Sequence, residues 1–357
     1  MEKVNLLIDG RTFANWMDIE IRLSLDRFDA VRFTASFEPA RAEFRKIFEP
    51  FTFKPIKVLV GGSAIFNGTM VCVDPRVDAS GSTVEIQAYS RPGVLCDCTP
   101  GVGVVPSETT PTEFTKLSLL QIAKQLCELF NIEVELQGDQ GPVFNRVAIK
   151  PDEDIHSFLV TLAKQRNLVM TNTPDGKLLF WSSNPGGGVS LPVVQFVEGV
   201  PPLTKVTPTF SPQSYYSQIT AIAPTKVGKP GGRSTYLNPM LHRTHAFRPN
   251  SFRCDDTDRA GARQAAKARM GRMFANAVSY TIDDVPTWRD SDRKLWTPNT
   301  IMTLLAPSAM VYAESELLIR EVALKQTAES ETASFELVLP GAFSGEAPVR
   351  LPWREGA

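Results

Sequence analysis

An excess of charge of one sign is missing from this sequence. The 38 basic and 39 acidic residues leave a formal net charge of -1 over 357 residues. Such a chain has no long-range field that would attract nucleic acid or an anionic membrane. We therefore expect no stable binding of nucleic acid.

Long hydrophobic runs are missing as well. The longest apolar stretches fall well short of a membrane span, and the N-terminal residues lack the apolar region and cleavage site of a signal peptide. The sequence therefore predicts a protein that is made in the cytosol and has no integral membrane contact.

Cysteine is scarce and odd in number, with five residues, which argues against a disulfide framework in a chain of this size. Cys96 and Cys98 lack the spacing of a zinc site, so buried free thiols are expected. His242 and His245 would need a third ligand from elsewhere to hold a metal. No metal site and no cofactor are predicted.

Signatures of catalysis are also absent. There is no Gly-x-Ser-x-Gly motif and no phosphate-binding loop. Adjacent aspartates occur at Asp255 and Asp256 and at Asp283 and Asp284, but a glycosidase needs two carboxylates on separate elements, roughly 5 to 9 Å apart. Helix capping explains the first pair more simply. We predict no catalytic residue and no enzyme.

The residues that are present favour β-structure. Twenty-seven prolines and 23 glycines indicate many turns between short strands. Residues 17–26 alternate strictly between apolar and polar, as a half-buried strand does; the apolar members are Met17, Ile19, Ile21, Leu23 and Leu25. The expected fold class is α+β and β-rich, with two antiparallel β-barrel-like domains and a small inserted α/β domain.

Breaks in the pattern divide the chain into segments. Residues 39–51 predict a short helix, residues 99–114 a linker and residues 227–239 a mobile loop. The run after residue 277 reads as strand throughout. The expected domains are a first β-barrel-like domain at 1–105, the small α/β domain at 112–184, a second β-barrel-like domain at 190–345 with a long helix at 256–277, and a C-terminal tail at 346–357.

The small domain carries the clearest local pattern. Apolar residues at helical spacing predict helices near 117–130 and 153–166, followed by a hairpin that turns at residues 174–176. The first stripe consists of Ile122, Leu126, Leu129 and Phe130; the second consists of Ile155, Phe158, Leu159 and Leu162. His156 lies beside the second stripe, and both stripes indicate packing rather than chemistry.

Two further groups of residues have a functional and a structural interpretation. Basic side chains on the long helix could contact nucleic acid, but a solvated or inter-subunit helix face fits the neutral chain better; they are Arg259, Arg263, Lys267, Arg269 and Arg272. Aromatic residues could bind carbohydrate, but core packing is the better interpretation; they are Tyr215, Tyr216 and Trp181.

Several stretches together resemble the baseplate hub proteins of contractile phage tails, the late control gene D family, and most closely the tail protein of Mu-like phages and prophages. They are residues 65–99, residues 118–134, residues 152–181 and residues 288–324. Each is a packing motif, and their shared order carries the resemblance.

The resemblance implies a homotrimer in which two similar β-barrel domains per chain form a ring. That ring would join the tail tube protein to a separate central spike protein, contact other baseplate proteins and let DNA pass. A tail-associated cell-wall hydrolase and a carbohydrate-binding tail module are the alternatives. The expected location is the virion tail baseplate, after assembly in the cytoplasm of the bacterial host.

Overall fold

Strands dominate the part of the chain that the computed structural model describes, which is residues 1–79, 81–101, 109–182, 195–223, 232–242, 244–254, 259–348 and 350–354. The β-rich α+β class predicted from the sequence is confirmed. The expected boundary near residue 105 lies outside the described residues.

Seven strands and one helix form the first strand-rich segment. They are β1 (Val4–Ile8), β2 (Arg11–Phe13), β3 (Trp16–Ser24), β4 (Ala30–Ser36), α1 (Ala42–Ile47), β5 (Pro55–Val60), β6 (Ser63–Asp78) and β7 (Gly81–Ser90). Helix α1, predicted within residues 39–51, packs Phe44 against Phe13 with the rings edge to face. Aromatic rings therefore fill this part of the core.

The small segment combines two helices and two small sheets. Its elements are β8 (Glu113–Leu117), α2 (Leu119–Cys127), β9 (Val134–Gln137), β10 (Phe144–Ala148), α3 (Ile155–Gln165), β11 (Val169–Asn172) and β12 (Leu178–Trp181). Both predicted helices are present, and β11 and β12 form the predicted hairpin. The turn bond from the Gly176 amide to the Thr173 carbonyl closes it, and Gly176 has a φ of 90°.

Six strands of the last segment extend the main sheet, and three more form a separate sheet under a long helix. The elements are β13 (Gln195–Val197), β14 (Lys205–Phe210), β15 (Gln218–Ile222), β16 (Arg233–Leu237), β17 (Pro249–Arg253), α4 (Arg259–Ala277), β18 (Val278–Val285), β19 (Ile301–Ala306), β20 (Val311–Thr327) and β21 (Glu331–Val338). None of the helices in these described ranges is long and apolar enough to cross a membrane.

One sheet joins the first and last segments. Strand β20 pairs antiparallel with β3 from Glu321 opposite Ser24 to Thr327 opposite Asp18. The sheet consequently has 13 strands and runs β14-β18-β21-β20-β3-β4-β7-β6-β5-β1-β2, with β19 and β13 branching from β20. The two strand-rich segments thus share one hydrogen-bonded surface.

Four details of the sequence interpretation were wrong. Met17 is 52% exposed, because the register shifts between Trp16 and Asp18 and breaks the alternation. Leu129 is 43% exposed, since α2 ends at Cys127 and the chain turns into a left-handed Asn131.

Residues 286–300 contain only an isolated bridge in place of a strand, as prolines lie near both ends. Part of the expected mobile loop is strand β16; its residues 227–231 lie outside the described ranges.

Two expected burial states were also wrong. Of the five cysteines, none of which forms a disulfide, only Cys127 and Cys254 are buried, and Cys96 is exposed. Glu20, placed on the polar face by alternation, is buried. Its carboxylate accepts bonds from Arg22 at 2.7 Å and Arg32 at 2.8 Å, so the ion pairs explain how a charge lies there.

Candidate assembly site

The turn between β3 and β4, residues 25–29, is where the three segments meet; we call it the junction turn. Its Leu25 amide donates to the Arg320 carbonyl at 2.8 Å. The small segment also binds this turn. Thr171 Oγ1 donates a hydrogen bond to the Arg27 carbonyl at 2.7 Å and another, at 2.9 Å, to the carbonyl of Ser24 just before the turn. One short turn therefore holds both neighbouring segments.

Asp29 forms the buried centre of the junction turn. Its Oδ1 accepts from the Ser24 amide at 2.9 Å and its Oδ2 from Asn172 Nδ2 at 2.8 Å, while its own amide donates to Asn172 Oδ1. Burial raises the pKa of Asp29 to about 7, although these hydrogen bonds oppose the shift, and Glu321 raises it further. The carboxyl group is thus a tightly bonded, barely solvated link between β4 and β11.

Arg320 provides the charged part of the same site. Its guanidinium donates to both oxygens of Asp26, at 3.0 and 2.9 Å, and to Glu336 at 3.0 Å. A bidentate arginine–carboxylate pair has a fixed geometry. The pairs raise the pKa of Arg320 although burial opposes them, so the link between β20 and the junction turn stays charged.

Single hydrogen bonds fix the small segment at its other edges. Trp181 Nε1 donates to the Leu25 carbonyl at 3.3 Å, Asn167 Nδ2 to the Ser344 carbonyl at 2.6 Å and Asn67 Nδ2 to the Asp175 carbonyl at 2.7 Å. The hairpin and the end of α3 before it therefore contact both strand-rich segments.

The residues weighed for metal binding or catalysis do not converge. His242 and His245 are exposed, and His242 Nδ1 contacts Thr244 Oγ1 at 2.6 Å. His156 packs edge to face on Phe28 at 5.1 Å, and burial lowers its pKa. Among the described residues no group of three or more His, Cys, Asp or Glu side chains could hold a metal ion.

The two aspartate pairs also differ in position. Asp283 pairs with Lys205 at 3.1 Å, and Asp284 lies at the bulge where the register of β18 shifts against β21. Asp255 and Asp256 lie outside the described residues.

The basic residues of α4 divide into two groups. Arg263, Lys267 and Arg269 are exposed, although the Arg269 guanidinium also stacks on the Phe252 ring at 4.6 Å. Arg272 is instead half-buried and donates to the Lys164 and Leu168 carbonyls at 3.3 and 2.7 Å. The helix therefore has no continuous basic stripe along its described side chains.

The three aromatic candidates pack against the core. Tyr215 lies edge to face on Phe274 at 5.7 Å, and Tyr216 and Trp181 are half-buried against apolar clusters. They form no exposed platform of the kind that binds sugar rings.

Unpaired edges and exposed apolar residues mark the outer surface. In the described sheet, β2 and β14 are terminal strands, and β13 pairs with β19 alone. Phe51 and Phe53 are 92% and 59% exposed, and their φ angles of 61° and 47° lie where bulky residues are rarely found. Such strained, exposed aromatics point to a contact with another molecule.

Sequence reasoning missed Asp29, Asn172 and Arg320. Nothing local distinguishes Asp29 from an ordinary turn aspartate, and its partner Asn172 is 143 positions away. A turn aspartate at the end of the strongly alternating strand was the one available signal.

Comparisons with known proteins agree with this architecture. Residues 93–182 match the family model described as the second domain of the gp44-like baseplate hub protein. The baseplate hub protein gp44 of Escherichia phage Mu is 20% identical over 334 residues, which cover 90% of this chain and 83% of that protein. The predicted resemblance to Mu-like hub and tail proteins is confirmed.

Two solved structures share the fold. The 43 kDa tail protein of prophage MuSo2 from Shewanella oneidensis is 23% identical with a TM-score of 0.75, covering 96% of this chain and 99% of that one. The tail protein from Neisseria meningitidis MC58 is 15% identical with a TM-score of 0.77, covering 97% and 99%. The coarse function is that of a structural protein of a phage tail baseplate.

Proposed function

We propose that the chain is the hub of a contractile phage or prophage tail and assembles as a homotrimeric ring. The ring joins the tail tube protein to a separate central spike protein, contacts other baseplate proteins and lets DNA pass. Its place is the virion tail baseplate, and it is assembled in the cytoplasm of the bacterial host. Its role is structural rather than enzymatic.

The observation that carries this proposal is the shared sheet. Each chain contributes two strand-rich segments, which we assign to 1–105 and 190–345, and β3 and β20 join them by antiparallel pairing. Three chains then present six strand-rich units around one axis, as a cyclic trimer would. This division of the chain is part of the proposal.

Free strand edges supply a way to join the subunits. Strands β2 and β14 each pair on one side only in the described sheet, and an unpaired edge can take a strand of a second copy. We propose that Phe51 and Phe53 contact the neighbouring copy, because both side chains are exposed. Lys54 holds their loop against α1 by donating to the carbonyls of Lys46 and Ile47. Contacts of this kind remove apolar surface from water and need no catalytic group.

The test is the mass in solution by light scattering. With 39.4 kDa per chain, the expected value is about 118 kDa at micromolar concentration, whereas a clean monomer of 39.4 kDa contradicts the trimer. The double change Phe51→Ser and Phe53→Ser should weaken the trimer. Leu129→Ser, at an exposed position of the small segment, should leave it intact.

A further inference from the structure

Cationic side chains from three elements converge on one cavity between the small segment and α4. The cavity has a volume of about 220 Å³. Lys164 comes from α3, Arg253 from β17, and Arg269 and Arg272 from α4; Thr161 and Gln165 add polar groups to the lining. Among the described residues that line it there is no carboxylate.

Backbone and aromatic contacts fix the orientation of two of these cations. The Arg272 guanidinium is held by the carbonyls of Lys164 and Leu168, and the Arg269 guanidinium lies on the Phe252 ring. These partners orient the groups without cancelling their charge. Asp26, whose charge acts on Lys164 and Arg272, is engaged by Arg320 in a bidentate pair.

Burial and like-charged neighbours lower the pKa values of cations in this cavity, while Asp26 opposes the shift at Lys164 and Arg272. Burial lowers the pKa of Lys164, and the neighbouring Arg272 and Arg269 lower it further. Burial also lowers the pKa of Arg269 and brings that of Arg272 to about 10. Lys164, Arg253 and Arg269 are exposed and Arg272 is half-buried, so solvent weakens the repulsion among these like charges, and a bound anion relieves what remains.

We propose that this cavity is a binding site for a small oxyanion, with phosphate as the chemical class. Guanidinium and ammonium donors suit phosphate oxygens, and the cavity has the volume of about seven water molecules at 30 Å³ each. A bound oxyanion would bridge α3 and α4 and so tie the small segment to the last one. This inference does not depend on trimer assembly.

The experiment is thermal unfolding of the full chain in inorganic phosphate and in chloride at equal ionic strength, which removes general screening as a cause. Phosphate should raise the melting temperature saturably, by about 2 to 6 °C. Arg269→Gln and Lys164→Met should each lose that phosphate-dependent rise. Because Lys164→Met removes a repelled charge and keeps the aliphatic stem, its melting temperature in chloride should equal or exceed that of the parent.

Lys267→Gln is the matched control, since Lys267 is exposed on the same helix and does not line the cavity. It should keep the full phosphate effect. The proposed site would be overturned if chloride and phosphate raised the melting temperature equally, or if the phosphate-dependent rise survived in both cavity variants. A short single-stranded oligonucleotide forms the last arm: it should give no rise at phosphate concentrations below those at which the free ion acts, and such a rise would replace the free ion by nucleic-acid backbone phosphate and contradict the passive conduit.

Discussion

At the scale of single residues, the junction turn depends on buried polar groups that are fully bonded. Asp29 and Asn172 are 7% and 6% exposed, and they exchange two hydrogen bonds between segments. A buried polar atom that loses its partner destabilises a fold by about 1 to 3 kcal/mol. The stability of the inter-segment link is therefore concentrated in a few atoms.

Asp29 should make stability fall with rising pH. Its pKa of about 7 in the fold exceeds the ordinary value of about 3.9, so the folded chain holds the proton more tightly than the unfolded chain. This contribution is complete below pH of about 4 and is lost as pH rises through about 7, amounting to at most about 4 kcal/mol.

Urea unfolding of the parent and of Asp29→Asn across this range measures the effect. The unfolding free energy of the parent minus that of Asp29→Asn should fall from pH 4 to pH 7, by at most about 4 kcal/mol. Asp292→Asn, at an exposed loop position, serves as the control for the loss of one carboxylate. A constant difference for Asp29→Asn would contradict the buried carboxyl.

Phe158 should be a strong determinant of the small segment's stability. It is 5% exposed and stacks on Phe114 at 6.1 Å. Phe158→Ala should reduce the unfolding free energy by about 3 to 5 kcal/mol through lost burial and a cavity. Calorimetry checks this, with Leu129→Ala as an exposed control; a melting temperature within a degree of the parent would show that the side chain is not packed as described.

At the scale of elements, helix ends are set by local side chains. The Asp154 side chain accepts from the Ser157 amide at 2.7 Å and caps α3. Ser118 and Gln121 exchange bonds in a capping box at α2. Both helices therefore begin where the sequence supplies an acceptor, which explains why their starts lie within two residues of the predicted ones.

Removal of the α3 cap should destabilise the small segment modestly. Asp154→Ala is expected to lower the unfolding free energy by about 1 kcal/mol, and Asp154→Asn should retain most of it because the amide oxygen still accepts. Asp152→Ala, outside the helix and exposed, serves as the control. Equal stability of Asp154→Ala and the parent would show that the Asp154 cap does not stabilise α3.

At the scale of the whole molecule, the chain is balanced in charge, with 38 basic and 39 acidic residues. On α4, Arg263, Lys267 and Arg269 are exposed, but the Arg269 guanidinium lies on the Phe252 ring and Arg272 donates to backbone carbonyls. Affinity for DNA needs several phosphate contacts at once. A conduit that lets DNA pass should therefore retain it poorly.

We expect no appreciable binding of duplex or single-stranded DNA in a gel-shift titration at about 0.15 M salt, where diffuse attraction is screened. Arg263→Glu should behave as the parent does. Submicromolar retention that disappears in Arg263→Glu would contradict the passive conduit and indicate a protein that handles DNA.

Periodicity made the elements predictable, whereas their partners were not. The stripe of α3 and the alternation of β3 lie within short windows, where burial imposes its period on the sequence. In pairings such as β3 with β20, or Asp29 with Asn172, no nearby feature of the sequence indicates the distant partner. The sequence alone showed the resemblance to tail proteins, but only the structure revealed the junction turn and the cationic cavity.

The pairing of β3 with β20 also has a consequence for the order of events during synthesis. Asp26 and Arg320 are 294 positions apart, and a ribosome adding about 5 to 20 residues per second needs roughly 15 to 60 seconds to cover that interval. Throughout that time the nascent first segment presents β3 as a bare edge, which invites aggregation with other emerging chains. Chaperone occupancy on translating ribosomes should accordingly persist until β20 has left the exit tunnel.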